Sequence, residues 1–336
     1  MIAAGGLTPA LANDTTAELG AGGLIFVRNP DVEMRSEQLS ITLDQIRVTY
    51  HFANKSDKPV NDLVAFPLPD ITVDSPDWNV VVPTDDPANF LAFATTVNGR
   101  PTTTQMQQRV FALGVDRTDM LQQLGIPLAP QLESTGKALD ALPPNKWQEL
   151  ISLGIAEIDE YGNTPDGKMQ QHLEPRWTLK TTYYWQQAFP PGAETIIEHH
   201  YKPSVGASVG TLVGAPSSTD PKFAAEEKAL LATYQTKYCM DAAFVSAART
   251  GYQKARQTNG YLGEKRIDYI LTTGANWNGP IADFTLTIDK GDPGNLISFC
   301  ASGVKKLSPT QFQVHYTDFM PTADLGILIL SPSTAQ

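Results

Sequence analysis

The side chains able to do chemistry in this chain are five histidines, two cysteines and thirty-six acids, and their spacing narrows what they can do. His199 and His200 follow Glu198 in a segment of alternating pattern. Neighbours on a strand point to opposite faces, so adjacent histidines cannot both bind one metal ion. His199 falls on the apolar face with Ile197 and Tyr201, and His200 on the wet face with Glu194 and Glu198. The expected reading is a hydrogen-bonded, buried His199 and a solvated His200; the alternative is a Glu198/His200 metal or acid–base pair. Cys239 and Cys300 make an even count, which reads as a disulfide in an oxidising compartment, with a reactive thiol as the alternative.

No His-Glu-x-x-His, Cys-x-x-Cys, Gly-x-Ser-x-Gly or phosphate loop occurs. Gly20-Ala21-Gly22-Gly23 lacks a following helix and does not read as a nucleotide loop. The oxygen-rich run from Asp159 to Gly167 is expected to be a solvated loop, with calcium binding as the alternative. Glycoside hydrolysis needs two carboxylates facing each other across a cleft, and thirty-six acids offer too many pairs to choose one. Trp277 sits in the turn phrase Gly274-Ala275-Asn276-Trp277-Asn278-Gly279-Pro280, either as a plug on a sheet or as an exposed binding element.

The elements that must position these groups are mostly strands. Leu39, Ile41 and Leu43 alternate with polar residues, and Ile46, Val48, Tyr50 and Phe52 do so again, the period-two signature of half-buried strands. Further strands are predicted over 60–66, 78–82 and 90–97, with Asn98-Gly99 as a hairpin turn. Between 116 and 154 the period changes, and helices are predicted over 119–124 and 146–153, the second stopped by Gly154. Strands resume at Arg176, with Trp177, Leu179, Tyr183 and Trp185 on one face. Asp220-Pro221 opens a helix, with Asp as the cap and Pro at the first helical position, and Phe223 is placed on its apolar stripe. A second helix, predicted over 238–253, carries Cys239, and short strands complete the chain. The fold class expected is mostly β, with β-sandwich-like antiparallel domains and helical insertions, α+β overall. The expected organisation is a signal-peptide remnant over 1–12, an N-terminal β domain over 13–115 and a helical and loop insertion over 116–175. A C-terminal β region over 176–336 follows, with a helical pair at about 220–255.

Ala10-Leu11-Ala12 before the polar run from Asn13 has the small-x-small form of a signal-peptide cleavage site, so export to the periplasm is expected, with the mature protein beginning at Asn13. Lys plus Arg is 25 against 36 acids, a formal charge of −11, and no basic cluster stands out. A nucleic-acid partner, which needs a basic face, is therefore not expected. No apolar run reaches the roughly 18 residues that span a bilayer. No cofactor and no metal is implied.

Several phrases carry a resemblance. They include Asn13–Leu24, Val32–Glu37, Phe66-Pro67-Leu68-Pro69-Asp70, Glu198–Gly206 and Thr272–Trp277. In this order they resemble an exported bacterial family described only as a domain of unknown function, DUF4424, over nearly all of the chain from Asn13. The resemblance implies a periplasmic or secreted protein of Gram-negative type and brings no catalytic residues. A second, local likeness over about 40–100, where a Ser-Asp-Lys-Pro turn is followed by a strand ending in Phe66-Pro67-Leu68-Pro69, is to the vault/inter-α-trypsin module, which implies an interaction domain. The expected function is a non-catalytic binding or structural module of the cell envelope, with an envelope protein or glycan as partner. An envelope hydrolase and a small-ligand carrier are the alternatives. The recognition surface is expected at the loops near 66–69 and 274–280, with Asp70, Asn276 and Trp277 as its residues.

Overall fold

The computed structural model describes residues 13–20, 23–73, 80, 81, 83, 84, 86–162 and 168–333. The segment 1–12 expected to be a signal-peptide remnant, Trp78 and residues 163–167 of the acidic run lie outside the described residues.

Two large sheets face one another. The first runs Val115–Asp116, Gln105–Ala112, Thr178–Phe189, Val60–Pro67, Thr15–Gly20, Gly23–Val27 in spatial order. The second runs Lys305–Lys306, Gln311–Phe319, Ile281–Asp289, Val32–Ile41, Ile46–Asn54, Glu194–Tyr201, Ala94–Val97, Arg100–Thr102. Their inner faces interdigitate: Phe66 and Trp185 of the first sheet lie with ring centroids 4.9 and 5.3 Å from His199 of the second, and Phe189 lies 5.7 Å from Phe52. A third sheet, Leu296–Phe299, Leu325–Ser333, Tyr261–Tyr269, Val205–Ser208, Val80–Val81, shares this core through Tyr269 and Ile327. Helices Pro221–Lys237 and Ala242–Gln257 pack on it around Tyr234, Tyr238 and Ala248. Among the described residues no sheet closes into a barrel. The mostly β class with helical insertions is what the structure has. The described strand pairs are antiparallel except for Ile281–Asp289 on Val32–Ile41.

Local chemistry explains many of the elements. In Ile46–Asn54 the residues 46, 48, 50 and 52 are all buried, as alternation demands. Asn98 and Gly99 both have positive φ, which lets a two-residue turn join Ala94–Val97 to Arg100–Thr102. The Asp220 side chain accepts from the Lys222 amide, and Pro221 opens the helix. The alternation of Val32–Ile41 is interrupted by a bulge between Met34 and Ser36, so that after the buried Val32 and Met34 the inward positions become Glu37, Leu39 and Ile41. That one-residue shift turns a carboxylate into the core.

Other expectations need correcting. The boundaries expected at 115 and 175 are not sheet boundaries, because Thr178–Phe189 pairs with both Gln105–Ala112 and Val60–Pro67, and Ile281–Asp289 pairs with Val32–Ile41. Strand partners are non-local, and alternation along one segment carries no information about them. Between them the chain forms helices Thr118–Gln123, Glu133–Asp140 and Pro144–Ser152 and the hairpin Ala156–Tyr161/Gln170–Pro175. Phe223 is 55% exposed and not part of a buried stripe. Cys239 lies in the turn before Ala242–Gln257, at φ +50°, and not within that helix.

Candidate functional site

The sequence-expected residues separate into three places. Asp70 lines a pocket of about 350 Å³ between the strand ends of the sandwich and the third sheet. The Phe-Pro-Leu-Pro phrase builds it: Val60–Pro67 ends at its proline, Pro69 has no amide hydrogen to give and interrupts the pairing with Thr178–Phe189 until Ile71–Thr72 resumes it, and Leu68, Asp70 and Ile71 line the pocket wall. Phe90 and Leu91 are among its apolar lining, and Lys237, Arg266 and Asp268 among its polar lining. The charges are matched. Asp70 is ion-paired with Lys180, Lys237 Nζ lies 3.0 Å from Asp268, and Arg266 pairs with the buried Glu264. Partial burial raises the Asp70 carboxyl above its usual range against the opposing pull of Lys180. The Ser204 hydroxyl is buried in the pocket wall with no hydrogen-bond partner among the described residues. A buried donor in that state costs free energy. Sequence reasoning missed Ser204; only its neighbourhood in the Lys-Pro-Ser-Val-Gly phrase hinted at it.

The second place is sealed. His199 Nδ1 lies 2.9 Å from the Thr95 hydroxyl and Nε2 lies 3.0 Å from Asp14 Oδ1, an order that matches a hydroxyl–imidazole–carboxylate relay. Yet His199 and Asp14 are fully buried, and rings of Phe66, Phe93, Tyr50 and Trp185 surround the imidazole. No substrate reaches it, so it holds sheets together rather than turning over substrate. The buried His199 expected from alternation is found, and His200 is half-buried on the other face. Glu198 accepts from Thr96 at 3.1 Å, on that same outer face. Glu37 joins the cluster from the bulged strand, its Oε2 accepting from the Asn13 side chain at 2.8 Å. Burial pushes the Glu37 carboxyl up to about 8, and burial likewise raises Asp14 in spite of His199 beside it.

The third place corrects an expectation. Trp277 is 1% exposed, its ring 4.5 Å from Phe52 and 5.8 Å from Phe189, and its Nε1 donates to the Asp14 carbonyl at 2.6 Å. It is a plug between the sheets and presents no recognition surface. Asn276, at the end of the 3-10 turn Thr272–Asn276, is half-buried; its side chain donates to Thr15 Oγ1 at 2.9 Å and its carbonyl accepts from the Asn29 amide at 2.8 Å. Asn276 and Trp277 thus fasten the start of the first strand. Of the three residues, the fold leaves Asp70 at a pocket and turns the other two to structure. Cys239 and Cys300 form a disulfide with Cα atoms 5.0 Å apart, tying the turn between the two long helices to the end of Leu296–Phe299.

The fold and pocket define a β-rich protein with a small mixed-polarity cavity and a sealed polar core. The chain belongs to the family described as a domain of unknown function, DUF4424, whose model matches residues 12–328. It is similar in structure to a Legionella pneumophila protein described as a candidate nutrient binding protein, at 14% identity and a TM-score of 0.43, over 95% of this chain and 70% of that one. It is also similar to an M1 zinc metallopeptidase from Deinococcus radiodurans, at 8% identity and a TM-score of 0.26, over 90% of this chain and 43% of that one. Similarities at these scores carry no inference about activity. No curated protein matches the chain.

Proposed function

We propose that the protein is exported and serves in the cell envelope as a non-catalytic binding module, holding a segment of an envelope protein in the pocket lined by Leu68–Asp70 and Ser204. The observation that carries this reading is the pocket itself: apolar residues and paired charges share its lining, with one buried hydroxyl without a partner among the described residues. Charges already paired leave no net field for a highly charged ligand and suit an uncharged or zwitterionic one. A protein segment fits better than a glycan, because Phe90 and Tyr201 in the lining are almost fully buried and offer no open ring for a sugar face. The relay around His199 supports no hydrolase reading, because it is sealed.

The test places a photo-crosslinking amino acid at Ser204 and, as a control, at the exposed Lys222 in the full-length gene. A discrete crosslink to an envelope protein at Ser204, lost on Leu91→Trp and not seen at Lys222, is the expected outcome. Titration with soluble glycan fragments is expected to give no saturable heat. Crosslinking that is the same at both positions, or recovery of the protein only from the cytoplasm with residues 1–12 attached, refutes the proposal.

A further inference from the structure

The residue that follows the Ala10-Leu11-Ala12 triplet is buried among carboxylates. Asn13 is 0% exposed. Its backbone nitrogen donates to Thr273 Oγ1, and the Thr273 hydroxyl in turn donates to the Asn13 carbonyl at 2.6 Å. Its side chain reaches Glu37, and its own amide oxygen accepts from the Asp14 amide at 3.0 Å. Gly274 lets the two segments approach closely, because a Cβ there would stand 2.8 Å from Asn13 Nδ2 and 3.2 Å from Ile281 Cδ1. Around this residue Asp14 Oδ2 and Glu37 Oε1 are buried with no hydrogen-bond partner among the described residues. Two fully buried acids with His199 as the basic side chain in contact with one of them leave the cluster short of donors and of positive charge. Buried carboxyls of this kind stay neutral, as burial keeps them in the uncleaved chain, or are met by a cation with several hydrogens.

We infer that cleavage of the Ala12–Asn13 bond supplies that cation: the α-ammonium of Asn13 becomes a buried structural charge facing Asp14 and Glu37, so that leader removal completes the core. The step is a hydrolysis. Water adds across the peptide bond, the C–N bond breaks, Ala12 leaves as a carboxylate and the Asn13 nitrogen leaves as –NH₃⁺, with no other reactant consumed. The catalyst belongs to the class of processing peptidases that cut after small-x-small sequences. An amide nitrogen offers one hydrogen, already given to Thr273; an ammonium offers three and a full charge. This inference rests on the export reading of the proposed function and adds a structural role for the new terminus.

The test uses protein purified after export. Intact mass fixes its first residue. Native protein is then treated with an amine-acylating reagent at pH 8, and the rate at the α-amine is compared with that at Lys222 and with that of the same α-amine in urea. The expected result is at least tenfold protection in the native state and a return to full reactivity in urea. Protein α-acetylated in urea at pH 6.5, where the α-amine is less protonated than lysine, is expected to refold to a form that melts several degrees lower. Glu37→Gln is expected to shrink that melting difference. An α-amine that reacts as fast as Lys222, or α-acetylated protein that melts at the unmodified temperature, overturns the inference. Should Glu37→Gln fail to fold, the labelling of the wild-type chain still decides. A first residue other than Asn13 in the exported protein overturns the inference and leaves the export reading standing, whereas recovery only from the cytoplasm with residues 1–12 attached removes the export reading.

Discussion

Replacing Trp277 with alanine gives the strongest test of how this fold is held. The side chain is almost fully buried, fills the space between Phe52 and Phe189, and donates to the Asp14 carbonyl. Truncating a buried Trp costs about 3–5 kcal/mol through lost transfer and the cavity left behind. Leaving the buried Asp14 carbonyl without its donor adds about 1–3 kcal/mol, partly overlapping with the first term. We expect a total of about 5 kcal/mol. With an unfolding entropy of about 2.1 cal/mol/K per residue, the 336-residue chain has about 0.7 kcal/mol/K, so the melting temperature falls by about 7 °C. Trp277→Phe keeps most of the packing and loses the hydrogen bond, for a fall of about 1–4 °C on the same conversion. The assay is thermal unfolding followed by circular dichroism of the sheet signal, with wild type and both variants at one concentration. An alanine variant melting within about 1 °C of wild type refutes the reasoning and returns Trp277 to the surface role expected from its turn-rich phrase.

Reducing the Cys239–Cys300 bond, which spans 61 positions, is expected to cost about 4 kcal/mol by the chain-entropy relation, read from denaturant unfolding as a lower midpoint with a slope that rises as the freed denatured chain expands; no shift removes the bond from the stability argument. In the uncleaved chain the folded state holds the Glu37 proton up to pH about 8, whereas the unfolded chain loses it near 4.5, so stability falls as pH rises between these values. Glu37→Gln is expected to flatten that fall in melting temperature from pH 5 to 8.5, and an unchanged slope counts against the buried carboxyl as its source. Gly214 has φ +81°, and a Cβ there would meet the Arg249 amide nitrogen at 2.4 Å and the Ala248 carbonyl carbon at 2.7 Å, so Gly214→Ala is expected to destabilise by on the order of 2 kcal/mol in denaturant melts; a neutral variant shows that the helix Ala242–Gln257 shifts without cost.

What the chain reveals by itself is local. Alternation placed residues 46, 48, 50 and 52 inward and separated His199 from His200. Asn98-Gly99 and Asp220-Pro221 announced a hairpin turn and a helix start, and two cysteines announced a bridge. Each of these depends on bonds or rotations within a few residues, or, for the bridge, on there being a single possible partner. The family phrases were legible in the same way, as runs of adjacent residues. Glu37 had the parity of Leu39 and Ile41 and was open to the same reasoning, had the strand been followed back past Leu39. Trp277 was not open to it: its phrase of glycines and asparagines looks like a solvent-facing turn, and only the approach of Phe52, Phe189 and the Asp14 carbonyl makes it a plug. The parallel pairing of Ile281–Asp289 with Val32–Ile41, the insertion of Thr178–Phe189 between earlier strands, and the meeting of Asp70 with Ser204 and Arg266 were likewise decided in three dimensions. Side-chain alternation sets which face a residue occupies, but it is backbone pairing across hundreds of positions that sets what that face meets.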